Sequence, residues 1–200
     1  MIDRITTLAS GHQLMVMGVA HRTVLLGPTG PGFWTAFQDS PEWRDGLPDP
    51  MDRWSTRVIG AMALELGANA VFPFGPDAGN FLQLAMDSDA AWQSPVGMLV
   101  HADAGLMVSY RGALVFDAPL YESPKEKPCD TCAQPCITAC PVGALTPAGY
   151  DVPRCHAFLK TPDGADCLQA GCLVRRACPV SQAYGRDAAQ SGYHMGRFLK

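Results

Sequence analysis

The stretch CDTCAQPCITACPVGAL, from Cys129 to Leu145, places four cysteines within twelve residues and follows the last with a proline. The spacing is Cys129-x2-Cys132-x3-Cys136-x3-Cys140-Pro141. Thiols so close together, carried on turn-forming residues, have three chemical readings: ligands to an iron–sulfur cluster, ligands to zinc, or disulfide partners. The rest of the chain bears on the choice.

All eight cysteines lie between Cys129 and Cys178, and the second group, Cys155, Cys167, Cys172 and Cys178, again ends in Cys-Pro. Two-cluster bacterial ferredoxins carry C-x2-C-x2-C-x3-C-P, in which the cysteine before the proline serves the other cluster. The first run differs from that pattern only in its middle gap, where Gln134 and Pro135 widen the loop. The same crossover would group Cys129, Cys132, Cys136 and Cys178, leaving Cys140, Cys155, Cys167 and Cys172 as a second complete set. Pro141 offers no amide hydrogen and turns the chain aside. Two four-cysteine zinc sites would use the same eight thiolates, but zinc ribbons pair C-x2-C knuckles, and only Cys129 and Cys132 form one here. The gaps of the second group, x11, x4 and x5, fit no common pattern, so the sharing of ligands there stays open.

Composition frames these motifs. The chain has 200 residues, 48% hydrophobic and 17% charged, with a net charge of −4, as expected of a soluble globular chain able to bury a core. The negative balance argues against general attraction to nucleic acid or anionic membrane. The opening MIDRITTLASGHQ lacks a basic segment followed by a long apolar run, and LMVMGVA (14–20) is too short to span a bilayer. A cytoplasmic protein is expected, and in that reducing compartment clustered cysteines favour metal over disulfides.

The stretch APLYESPKEKPC (118–129) reads as a linker between domains at 1–122 and 123–200. In the first domain, QLMVMGVA and RTVLLG read as strands. DPMDRWSTRVIGAMALELGA reads as a helix capped by Asp49, entered through Pro50 and closed by Gly67, with Trp54, Val58, Met62 and Leu66 on its apolar stripe. NAVFPFGPDAGN reads as a strand broken by Pro73, and FLQLAMDSDAAW as a helix. MLVHADAGLMVSYRGALVF (98–116) reads as a hairpin turning at ADAG. The expected class is α+β, with an N-terminal α/β sandwich before a cysteine-rich module.

The run ending CPVGAL, the lone cysteine of YDVPRCHAFLK and the final CPVSQ together resemble the ferredoxin-like module of epoxyqueuosine reductases. Reductive dehalogenases carry a related module. In those families an N-terminal domain of flavin-reductase-like ancestry binds a cobalamin, and two [4Fe–4S] clusters supply its electrons. Cobalamin-processing (decyanase) proteins share that N-terminal fold. The segment 98–116 is similar to a hairpin of these domains, with its His-x-x-x-Gly and Arg-Gly positions at His101, Gly105, Arg111 and Gly112. Where epoxyqueuosine reductases carry a catalytic aspartate in a Val-Asp-x-x-Pro type of segment, the nearest counterpart here is FPFGP (72–76), with Pro73 at that position. The resemblance therefore implies the shared plan and not that particular reaction.

Other residues are candidates of a plainer kind. Phe74 and Gly75, in the loop FPFGPDAGN, suit the mouth of a cofactor pocket, although Gly/Pro loops are usually only turns. Tyr110 and Arg111 could face a corrinoid or an anionic substrate, or Arg111 could make a structural ion pair. His101 could donate protons or ligate a metal, or simply cap a turn. GPTGPG lacks the lysine of a phosphate loop. Arg175 and Arg176 could raise the potential of a nearby cluster, face an acidic partner, or be solvated. The four tryptophans read as core, and the tail SQAYGRDAAQSGYHMGRFLK as a helix with Tyr184, Ala188 and Met195 on one face. No catalytic residue stands out.

The resulting expectation is an iron–sulfur redox protein with two [4Fe–4S] clusters on a ferredoxin-like module. It would pass electrons to a pocket of the first domain, where the resemblance implies a corrinoid such as cobalamin, and draw them from a redox partner protein or another low-potential donor. The competing expectations are an electron carrier with no substrate of its own and a zinc-stabilised interaction module.

Overall fold

The structure is a computed structural model that describes residues 1–76 and 78–199. Its strands are β1 (Leu14–Ala20), β2 (Thr23–Pro28), β3 (Asn69–Val71), β4 (Ala91–Gln93), β5 (Leu99–His101), β6 (Gly112–Val115), β7 (Leu145–Thr146) and β8 (Gly149–Tyr150). The first half carries helices α1 (Ile2–Ser10), α2 (Phe33–Gln38), α3 (Pro41–Arg44), α4 (Pro50–Leu66) and α5 (Phe81–Met86). The second carries α6 (Val152–Leu159), α7 (Ala165–Ala170), α8 (Leu173–Ala177), α9 (Pro179–Tyr184) and α10 (Ala188–Phe198). Helix and strand are mixed, as an α+β class requires. No helix among the described residues is long and apolar enough to cross a membrane.

The chain divides into two compact units, Met1–Ala91 with Ser109–Glu126, and Trp92–Val108 with Lys127 onward. This division differs from a single boundary near residue 122. The excursion 92–108 leaves the first unit because its apolar side chains, Val96, Val100 and Leu106, are buried with Cys136, Leu145, Val174 and Cys178 of the second. A continuous stretch of sequence is thereby shared between two cores.

The first unit is built on an antiparallel sheet in the order β1-β2-β6-β3. Val24, Leu25 and Leu26 of β2 and Ala113 and Leu114 of β6 are wholly buried, as central strands must be. Helix α4 packs against β6 so closely that a Cβ on Gly112 would stand 2.7 Å from Ile59 Cδ1, and a side chain there would have to displace the end of Ile59. Gly67 closes α4 in the left-handed conformation at φ 65°. Asp49 occupies the position before the helix, yet its side chain makes no cap bond; its own backbone is left-handed at φ 49°, and its carbonyl accepts the amides of Asp52 and Arg53 instead. Trp34 and Trp54 are buried with Phe33 and Phe37, and the Trp43 ring meets Trp34 and Phe37 at 5.3 Å each. These edge-on contacts form an aromatic core beneath α2 and α3.

The expected hairpin over 98–116 does not form. β5 pairs with β4 in a separate two-stranded sheet, while β6 lies between β2 and β3. The chain does fold back at ADAG, where the amides of His101 and Gly105 each donate to the other's carbonyl. Beyond that bridge the two apolar segments enter different cores, and burial outweighs the pairing that alternation alone suggests. Pro73 acts as expected, since β3 ends at Val71, two residues before it.

The second unit contains the β7–β8 hairpin and helices α6 to α10. The tail is two helices rather than one, broken at Gly185 with φ 68°. Ala188 is exposed, and the residues of α10 that are buried are Gln190 and Ser191. Gly192 lets α10 lie directly on the backbone of Gln169 in α7.

Glu42 of α3 is nearly buried, and Arg57 of α4 reaches it with Nη2 at 3.0 Å from Oε2. The hydrogen bonds from Arg57 hold the Glu42 carboxyl below its usual range, against the opposing effect of burial. A depressed carboxylate contributes stability above its unfolded pKa and loses it as pH falls through the folded value. Arg57→Leu should therefore cost about 1–2 kcal/mol in urea unfolding near neutral pH. The deficit relative to the parent chain should shrink as the pH falls from the ordinary carboxylate range through the depressed folded value of Glu42; a constant deficit would assign the effect to lost packing.

Candidate metal centres

The eight cysteines are all free thiols and all belong to the second unit. Each is placed by a short local structure. Gln134 adopts a left-handed conformation at φ 55° and starts a single 3-10 turn, Pro135–Ile137, that carries Cys136. The Gln134 side chain donates to the Cys129 carbonyl at 3.3 Å and braces the loop. Asp151 caps α6 by accepting the Arg154 amide at 2.9 Å, and α6 presents Cys155. Cys167 lies on α7, whereas Cys172 and Cys178 flank α8, with Pro179 opening α9 immediately afterward. The proline after Cys178 is thus a helix start, where its missing amide costs nothing.

The structure gathers the cysteines round two hollows. One has Cys129, Cys132, Cys136 and Cys178 in its walls. The other has Cys140, Cys155, Cys167 and Cys172. These are the two sets that the crossover of the Cys-Pro cysteines groups together. The remaining lining is chiefly apolar: Val100, Leu106 and Val180 around the first hollow, and Val142, Phe158, Leu159 and Met195 around the second. Among the described residues no three His, Cys, Asp or Glu side chains converge so as to hold one metal ion.

Burial is the leading cause that raises the Cys129, Cys136, Cys155 and Cys167 thiols above their usual range. The neighbouring thiolates that add to the effect belong to the same set in every case: Cys178 and Cys132 for Cys136, and Cys172 and Cys140 for Cys155. Four thiolates in an apolar hollow repel one another and are poorly solvated, so their joint ionisation needs a cationic group between them.

Backbone amides already point at the sulfurs. Gln134 N–H donates to Cys132 Sγ at 3.3 Å and Ala144 N–H to Cys140 Sγ at 3.2 Å. Such bonds stabilise thiolate bound to metal. The Ser94 hydroxyl is buried in the wall of the first hollow with no partner. A buried hydroxyl without a partner costs about 1–3 kcal/mol, which an acceptor held in that hollow would relieve. Four soft donors, amides aimed at sulfur and an unpartnered hydroxyl fit an anionic metal–sulfide group. At Gly105, with φ 56°, a Cβ would stand 2.9 Å from Cys178 Sγ and 2.6 Å from the Ser181 amide, so the excursion 92–108 packs directly on a proposed ligand.

The candidate cofactor residues outside the cysteines are scattered. Phe74 stacks on Phe72 at 5.2 Å, and Gly75 is exposed at φ 83°. Asp77 of the same loop lies outside the described residues. Tyr110 is buried beside Phe81, and its hydroxyl has no hydrogen-bond partner; burial pushes its pKa well above the usual value. Arg111 donates to the Tyr110 carbonyl at 3.0 Å and pairs with Asp52 at 3.5 Å. These four belong to the first unit. His101 belongs to the second and is fully buried, and its Nδ1 accepts the amides of Asp103 and Ala104, so it anchors the ADAG turn.

Several residues at the hollows carry no sequence signal. Ser94 and Leu106 arrive from the excursion. Val174 lines the second hollow while packing in the core with Cys136 and Cys178 of the first set. No family model, curated protein or solved structure matches the chain at a significant level.

The grouping predicts how metal is lost. Cys132→Ala and Cys178→Ala should each abolish one centre, and the double variant should lose no more metal than either single one. Cys132→Ala combined with Cys140→Ala should lose both centres, as read by metal analysis of the purified chains. Equal losses from every pair would contradict the two sets.

Proposed function

We propose that this chain is an iron–sulfur redox protein whose second unit is a ferredoxin-like module holding two [4Fe–4S] clusters. Cys129, Cys132, Cys136 and Cys178 would hold one, and Cys140, Cys155, Cys167 and Cys172 the other. The observation that carries the reading is the division of all eight cysteines between two apolar hollows, four to each. The spacing supports a polynuclear cluster over zinc, whose ribbons pair C-x2-C knuckles, since only Cys129 and Cys132 form one.

A [4Fe–4S] cluster, when bound, accepts and releases one electron at a time at potentials that extend to very low values. The chain's own residues would supply the rest. The apolar walls exclude water, the amides of Gln134 and Ala144 stabilise charge on the ligand sulfurs, and α8 joins the two sets. Cys172 and Cys178 are separated by that one short helix, whose six residue steps rise about 9 Å. Electrons could cross that distance by tunnelling.

On the resemblance, the first unit is a flavin-reductase-like domain that receives a corrinoid, and the protein is a corrinoid-handling or corrinoid-dependent reductase. The buried, unpartnered Tyr110 hydroxyl supports a ligand there. The second reading is an electron carrier with no substrate, favoured by the pairing of Arg111 with Asp52, which gives that arginine a structural role.

Chain purified without oxygen should contain about eight iron and about eight acid-labile sulfide, the content of two four-iron clusters. Zinc without sulfide would overturn the cluster reading. Titration with hydroxocobalamin should change the corrin spectrum saturably, and a low-potential reductant should then reduce cobalt only in cluster-loaded chain. A corrin spectrum unchanged from free cobalamin would leave the carrier reading.

A further inference from the structure

One polar side chain in the wall of the first hollow takes no part in placing the thiols. Ser94 follows β4 in the excursion 92–108 and shares that wall with Cys129, Cys132, Cys136 and Cys178. It is 6% exposed, and its hydroxyl is buried with no hydrogen-bond partner. Gln134, the other polar side chain there apart from the cysteines, is engaged with the Cys129 carbonyl.

The local fold does not account for the hydroxyl. Ser94, Pro95, Val96 and Gly97 form a four-residue turn in which the Ser94 carbonyl accepts the Gly97 amide at 3.0 Å. The Ser94 amide donates to the Met98 carbonyl at 2.8 Å. Serine is favoured at the first position of such a turn, with proline second and glycine fourth, because its hydroxyl can bond nearby backbone. Here it makes no such bond. Both backbone groups are satisfied, so the hydroxyl is the one donor of Ser94 left over. The turn holds it in place, with Val96 buried in one cluster with Cys136 and Cys178. The wall of the second hollow differs: beside its four cysteines it has proline and apolar side chains, and no hydroxyl.

We propose that the Ser94 hydroxyl donates a hydrogen bond to a sulfur of the cluster held by Cys129, Cys132, Cys136 and Cys178, and raises the reduction potential of that centre alone. The inference rests on the iron–sulfur reading above. Reduction places one more negative charge on a group already bound by four thiolates. A hydrogen bond to sulfur favours the more negative state, and apolar walls strengthen it. The electron comes from an external low-potential donor and no proton moves, since the serine stays protonated in both redox states. Ser94 thus tunes the centre and leaves ligation to the cysteines.

The test is a redox titration of anaerobically purified chain with dithionite, followed by electron paramagnetic resonance, with iron and sulfide measured on the same samples. Cys155→Ala, which removes a ligand of the other set, assigns the remaining signal to the first centre. Ser94→Ala should disfavour reduction of the first centre about tenfold, equal to about 59 mV for a one-electron couple, with the second centre unmoved and the iron content unchanged. Ser94→Thr, which keeps a hydroxyl, should hold the parent potential. Ser94→Val, of the same shape without the hydroxyl, should follow Ser94→Ala. The proposal is overturned if chains with and without the hydroxyl share one potential, or if the second centre shifts instead. If Ser94→Ala loads less iron, Ser94→Thr against Ser94→Val decides by the same criterion. Parent chain that takes up no iron and sulfide overturns the cluster reading itself, an outcome separate from loaded chain whose potentials do not respond.

Discussion

Thiolates repel one another, and apolar surroundings make their charge costlier still. The second unit nevertheless concentrates eight cysteines in two apolar hollows. Its local architecture is organised around that conflict. Short helices and single turns are used where longer elements would carry the sulfurs apart, and prolines after Cys140 and Cys178 turn the chain once each sulfur is placed. The set is closed by exchange, since Cys178 returns to the first three cysteines after the chain has visited the second hollow. Val174 lines the second hollow and packs in one buried cluster with Cys136 and Cys178 of the first set.

The excursion 92–108 gives this arrangement a second anchor. It supplies Val100, Leu106 and the Ser94 hydroxyl to the first hollow, and its Gly105 approaches Cys178 more closely than any side-chain-bearing residue could. The Leu106 carbonyl, in turn, accepts a hydrogen bond from Arg175 of α8 at 2.8 Å. A segment flanked on both sides by first-unit sequence is thereby built into the hollow of the first set of cysteines.

Much of the first unit was legible from pattern. The strands over 14–20 and 23–28, the long helix ended by Gly67, and the interruption at Pro73 follow from alternation, helical periodicity and the special geometry of glycine and proline. The hairpin over 98–116 was not. Alternation shows that a segment is apolar on one face, but not which core receives that face, and Val100 and Leu114 went to different ones. The tail failed for a related reason: its stripe of Tyr184, Ala188 and Met195 assumed one helix, and Gly185 breaks it so that Gln190 and Ser191 turn inward.

For the candidate centres, the type and number of donors were in the cysteine spacing, because chemistry limits what eight thiols in fifty residues can do. The crossover could be proposed from the two Cys-Pro endings alone. The irregular gaps of the second group left its membership open, and only the folded chain brings Cys155, Cys167 and Cys172 round one space with Cys140. Nor could spacing reveal Ser94 or Leu106, which reach the first hollow from the excursion 92–108. Covalent neighbours and local turns are written in residue order; the charge, hydrogen bonds and solvent exclusion around a group come from residues that are distant in the chain, and packing alone decides which they are.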